Sequence, residues 1–219
     1  MKIPFSDYKL GAGVATDLVN TSPVVQTTRG ELLTGPSALA DFLAEHDVRP
    51  GALADGRQPD DTDLDAVRAL RAEIRAILEA EAEEHVVEAA STLVERAGIG
   101  PSLYRDGEGR WQWYVATSPD TSVADELAVL TGTGLLGALR TLSHDRFRRC
   151  ASPVCEGMFV DTSKAGRRRY CMPEVCGNRL NVASHRARRL ESARRENARR
   201  PESTRRRPDS GGAGDTDSQ

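Results

Sequence analysis

The chain has 219 residues, 38% of them apolar and 5% aromatic, which suits one medium domain plus a smaller module. No apolar run reaches the ~18 residues of a membrane span, and residues 1–10 lack the basic start and apolar core of a secretory signal. These features argue against a membrane protein and lead us to expect a reducing cytoplasm. The net charge of −3 conceals a strong polarity. Residues 1–145 carry 12 Lys/Arg against 24 Asp/Glu, a net of −12. Residues 146–207 carry 18 against 6, a net of +12, and three aspartates follow. Such asymmetry points to separate jobs, with the basic third as the place for a polyanion.

In chain order, residues 1–30 read as irregular or short-strand structure around the apolar stretch 14–19. Thr34-Gly35-Pro36 opens a short amphipathic helix over 37–47, with Leu39, Phe42 and Leu43 at helical spacing. Residues 49–61, broken by prolines and glycines, form a surface loop. Thr62 and Asp65 resemble a capping pair for the next helix, whose apolar face is Leu64, Val67, Leu70, Ile74, Ile77 and Leu78. A further helix starts near Glu83, with Val87, Ala90 and Val94 inward and Gly98 as its C-cap.

Two strands, 102–105 and 110–115, flank Asp106-Gly107-Glu108-Gly109, and Trp111, Trp113 and Val115 alternate onto one face. Packing within the hairpin is the expected role of these aromatics, with an exposed ligand pocket at Trp111, Trp113 and Tyr114 as the alternative. Ser118-Pro119-Asp120 starts a helix through Leu127 and Leu130, and Gly132, Gly134 and Gly137 predict a break before 135–142. No internal repeat is present. From Pro201 onward Arg, Pro, Ser, Gly and Asp leave nothing to build a core.

Cys150, Cys155, Cys171 and Cys176 form two Cys-x4-Cys pairs separated by fifteen residues. Each pair supplies adjacent corners of a tetrahedral thiolate site, and the insert folds back to bring the pairs together. Met158-Phe159-Val160 and Arg168-Arg169-Tyr170 read as its short strands, with Lys164-Ala165-Gly166 as the turn. A helix beginning near Gly177 favours thiolates at Cys171 and Cys176 through its positive end. One structural zinc ion is the expected cofactor, and four thiolates leave no open position for catalysis. Four free or redox-active cysteines are the competing reading.

At these residues the sequence resembles the bacterial CGNR zinc-finger family. The signature stands as Cys176-Gly177-Asn178-Arg179, preceded by Arg167-Arg168-Arg169-Tyr170-Cys171, Cys150-x4-Cys155 and Phe159-Val160-Asp161-Thr162-Ser163. Leu18-Val19-Asn20-Thr21 and the Leu32…Leu39…Phe42-Leu43 segment resemble the ABATE domain that precedes such fingers. Tyr170 stands where tryptophan is common, and Met172-Pro173 where Ser-Met is common. The resemblance implies a zinc-binding finger and a stress-induced transcription regulator.

The expected fold is thus α+β. It comprises an acidic, mainly helical domain with a β-hairpin over 1–145, a treble-clef-like zinc finger of hairpin and helix over 146–200, and a disordered tail over 201–219. Beyond Cys176, Leu180, Ala183, Ala187 and Leu190 form an apolar stripe, and arginines lie on the opposite side. Arg167, Arg168, Arg169, Arg179, Arg186, Arg188, Arg189, Arg195 and Arg199 are the candidate nucleic-acid contacts, and DNA is the expected partner. The matched charges of −12 and +12 keep a second reading open, in which the basic finger binds an acidic partner or its own N-terminal domain. The acidic domain is read as a sensor for a small-molecule effector or as a homodimerisation unit. No phosphate loop, Ser/His/Asp set or catalytic zinc motif is present, so no enzymatic activity is expected.

Overall fold

The apolar stretch near the N-terminus is a helix, not a strand. The computed structural model describes residues 1–177 and Arg189, and Met1–Gly177 forms one unit. Its order is β1 (Lys2–Pro4), α1 (Tyr8–Asn20), α2 (Pro36–Glu45), α3 (Asp61–Leu78), α4 (Glu83–Glu95), β2 (Gly98–Arg105), β3 (Trp111–Thr117), α5 (Val123–Leu142), β4 (Phe147–Arg149) and β5 (Met158–Val160).

The same contact accounts for two departures from expectation. Gly11 and Gly13 weaken the local helix signal of α1, and Gly132, Gly134 and Gly137 weaken that of α5. A Cβ on Gly11 would collide with the carbonyl oxygen of Leu130, and one on Gly134 with the backbone of Gly11 and Ala12. The helices α1 and α5 therefore touch backbone to backbone, and glycine is what lets them. Around that crossing Ala12, Val14, Ala15, Leu18, Val19, Leu127, Ala128 and Leu135 are fully buried. This burial outweighs the poor local propensity, at ~25 cal/mol per Å² of apolar surface, and α5 runs unbroken.

The cap of α3 lies two residues earlier than expected. Asp60 accepts from Asp63 N at 2.9 Å and Asp63 accepts from Asp60 N at 3.1 Å, a reciprocal box that satisfies two orphan donors. The six apolar residues predicted for its face are all buried. In α4 the buried set is Val86, Ala90 and Leu93; Val94 is half-buried and packs against the core as expected, whereas Val87 is 45% exposed. Ala90, Leu93 and Val94 all meet Gly132 of α5, which turns this face of the helix towards α5. Gly98 is the first residue of β2, not a cap.

The sheet is antiparallel with order β1-β3-β2, registering Ile3 with Val115 and Leu103 with Trp113. Val115 and Ile3 are buried on one face of it. Farther out on β3, Trp111 and Trp113 of the same face are 60% and 54% exposed; Trp111 packs within the hairpin, where the guanidinium of its cross-strand partner Arg105 lies 4.5 Å over its ring. Glu126, fully buried in α5, is paired with the Met1 amino group at 2.6 Å and accepts from the Thr117 hydroxyl at 2.7 Å, as a buried charge requires. Among the described residues no helix is long and apolar enough to cross a membrane. The predicted helix after Cys176 and the tail 201–219 lie outside the described residues, except that Arg189 is helical.

Candidate metal centre

The first cysteine pair sits in the turn between β4 and β5, which pair antiparallel with Phe147 opposite Val160. Cys150 N donates to Gly157 O at 2.7 Å, and Cys155 N donates to Ser152 O at 3.1 Å, so the loop closes on itself with both sulfurs inward. The second pair lies around a π-type turn, Pro173–Gly177, where Cys176 N donates to Met172 O at 2.8 Å. Ala151 N donates to Arg169 O at 2.8 Å and ties one pair to the other.

The hairpin is β4–β5, not the expected pairing of 158–160 with 168–170. Residues 167–170 form no ladder because a buried carboxylate and a guanidinium take their place. Asp161 accepts from Arg168 N at 2.9 Å, and Arg148 donates to Gly166 O at 2.9 Å and to Arg168 O at 3.5 Å.

All four sulfurs lie within 4.8 Å of one another, and all four cysteines are buried and outside any disulfide. Cys155 and Cys171 are 3.5 Å apart, Cys155 and Cys176 3.7 Å, and Cys171 and Cys176 3.8 Å. A tetrahedron with Zn–S bonds of ~2.3 Å has edges of about 3.8 Å, which the three distances among Cys155, Cys171 and Cys176 match, and Cys150 Sγ stands close enough to complete the donor set. Phe159 and Val25, both buried, pack on the sulfurs. The four cysteines are the site of one structural zinc ion, and the free-cysteine reading gives way to it.

Burial and the neighbouring sulfurs push the thiols of Cys171 and Cys176 up, the latter to about 11. The direction is opposite to the help expected from a helix N-terminus, because burial and the sulfurs at 3.5–3.8 Å disfavour the thiolate. For Cys150 burial also raises the thiol, but backbone N–H groups of Ser152 and Cys171 outweigh it and hold the group below its usual value. Zinc supplies the charge that ionises Cys171 and Cys176, so its binding releases protons.

Of the candidate arginines, Arg167 and Arg169 are exposed on the approach to Cys171, and Arg189 is exposed. Arg168 is turned into the fold. It donates to Tyr170 O at 2.9 Å and to Cys171 O, and stacks 4.8 Å over the Phe159 ring. Arg179, Arg186, Arg188, Arg195 and Arg199 lie outside the described residues. Arg149 pairs with Glu79 at 3.2 Å and Glu156 at 3.5 Å, joining the finger to α3. Two surface cavities, of about 610 and 630 Å³, are lined by residues 40–59 and by α3 with α4. Trp111, Trp113 and Tyr114 line neither.

Sequence reasoning missed the residues outside the finger that reach the metal centre, Asn20, Val25 and Gln26, and Thr16, which holds β5 beside it. The one available signal was a pair of polar residues, Thr16 and Asn20, one helical turn apart in an apolar stretch.

Comparison with known families agrees with this geometry. The CGNR zinc finger model matches residues 146–189, and the ABATE model, described as "Putative stress-induced transcription regulator", matches residues 12–145. A comparison with curated proteins returns no match. With both models matched in the same order and all four cysteines gathered at one site, the chain belongs to the ABATE family and carries a C-terminal CGNR zinc finger.

Proposed function

We propose that the chain is a bacterial transcription regulator whose zinc-stapled, arginine-rich C-terminal part binds DNA while its acidic part receives a signal or a second copy. The observation that carries this reading is the charge division: −12 over residues 1–145 and +12 over 146–207, with the metal centre at the start of the basic part. Exposed Arg167 and Arg169 stand on the chain entering Cys171, and arginine suits phosphate and guanine edges. The description of the ABATE family supports the same direction. A closed tetrathiolate site favours a structural role for the metal and a regulator over an enzyme. Four cysteines outside any disulfide suit a cytoplasmic setting.

The equal and opposite charges favour one competing reading, a basic finger that grips an acidic partner or its own acidic part. Titration of the full zinc-loaded chain with labelled duplex fragments at two salt concentrations separates them, with polyglutamate as competitor. DNA binding that weakens steeply with salt supports the proposal. No duplex binding at low salt overturns it, and preferential capture of polyglutamate favours the competing reading.

A further inference from the structure

The free edge of β5 is covered by side chains of α1, and this contact joins the metal centre to the helical part. Gly157 and Asp161 turn their backbone groups towards β4 (Cys150 N to Gly157 O, 2.7 Å; Asp161 N to Arg146 O, 2.8 Å). By the alternation of an antiparallel ladder, Met158 and Val160 face away. Asn20 closes Met158 at two points. Its Nδ2 donates to Met158 O at 2.8 Å, and its Oδ1 accepts from Met158 N at 3.2 Å. One turn earlier, the Thr16 hydroxyl accepts from Val160 N at 3.0 Å. The second Nδ2 hydrogen of Asn20 goes to Thr16 O at 2.8 Å, so both donors are spent and the carboxamide has one orientation.

This carboxamide stands beside sulfur. A Cβ on Gly157 would collide with Cys171 Sγ and lie 2.8 Å from Asn20 Oδ1, so only a glycine fits between the amide and a metal ligand. Gln26 continues the link: its Nε2 donates to Asn20 O at 3.0 Å and to Met172 Sδ at 3.4 Å, and Met172 directly follows Cys171. Val25 is packed among the cysteines. Asn20, Val25 and Gln26 are 3%, 2% and 7% exposed, so water does not screen these contacts.

We propose that Asn20 is a positioning residue of the metal centre, holding β5 and the approach to Cys171 so that zinc occupancy and the order of residues 16–33 are linked. Such linkage is reciprocal. Anything that binds the helical part through this segment changes zinc affinity by the same factor, and zinc loss loosens the segment.

The test uses the full zinc-loaded chain and a chromophoric zinc chelator at neutral pH. Asn20→Asp keeps volume and acceptor but removes both donors. Thr16→Val removes one acceptor. Val86→Ala, buried in α4, controls for lost stability. Zinc should leave Asn20→Asp about tenfold more readily or more, and Thr16→Val several-fold more readily, from loss of buried hydrogen bonds. Val86→Ala should stay within about twofold even where its Tm falls as far. Zinc affinity of Asn20→Asp equal to that of the wild type, or reduced no more than in Val86→Ala, overturns the proposal. Hydrogen exchange on the wild type gives a reading independent of whether the variants fold. Zinc removal should speed exchange in residues 16–33 more than in α4, and an equal change in both, or none, overturns the linkage.

Discussion

Asparagine at position 161 should destabilise the zinc-loaded protein by about 3–5 kcal/mol. Asp161 is fully buried directly after β5. One oxygen accepts from the Ser163 N–H at 3.0 Å and hydroxyl at 2.6 Å, the other from Arg168 N at 2.9 Å and Arg148 at 3.2 Å. These four bonds shape the loop that carries the chain to Cys171. Asp161→Asn preserves volume and the first oxygen, but sets an amide against the two donors on the second. Two charge-assisted bonds are lost on that oxygen, each worth ~1.5–3 kcal/mol, for a total of about 3–5 kcal/mol, while Arg148 keeps its pair with Asp145 at 3.6 Å and its bond to Gly166 O.

Burial raises the Asp161 carboxyl, but the hydroxyl and N–H of Ser163, the N–H of Arg168 and the Arg148 charge outweigh it and hold the group below the usual carboxylate range. A carboxylate lowered on folding stabilises fully above its unfolded value of ~3.9, and loses that contribution as pH falls through the folded value. The difference between wild type and variant should therefore be flat from about pH 8 to pH 5. Urea unfolding monitored by circular dichroism measures it. A loss below about 1 kcal/mol, or a difference that varies across that range, would refute this account of the loop.

Two further predictions concern packing and the metal. Gly134→Ala should destabilise by ~1–3 kcal/mol despite its better helix propensity, because the methyl meets the backbone of α1. Gly13→Ala, with nothing within 4 Å of the added carbon, should gain up to ~1 kcal/mol; thermal unfolding that reverses this order contradicts the crossing. Elemental analysis should find one zinc per chain, and Cys171→Ser should weaken zinc by more than the ~10–100-fold of an outer-shell change. A different stoichiometry, or an affinity unchanged by the substitution, argues against a four-thiolate site.

The parts read correctly were those whose signal is local. The six apolar residues of α3 recur at helical spacing, and Pro36 marks the start of α2. The cysteine spacing alone implies a metal site. The misread parts were those where a distant partner decides. Gly11 and Gly134 signal flexibility in isolation, and only the crossing of α1 and α5 turns them into contact points. Residues 168–170 look like a strand until Asp161 and Arg148 take their backbone groups. Arg168 looks like a phosphate contact, yet its guanidinium braces the carbonyls of Tyr170 and Cys171.

The sequence by itself determined that four cysteines would hold one structural zinc, that a helical acidic part would precede them, and that the basic charge would follow. These follow from ligand chemistry, periodicity and composition, which are properties of neighbouring residues. The tertiary structure decided where the metal centre stands. It rests against α1, with Asn20 paired to Met158 across 138 positions of chain and Val25 among the sulfurs. No local pattern encodes such a pairing, because a buried carboxamide acquires its role only when folding brings an unpaired strand edge to it.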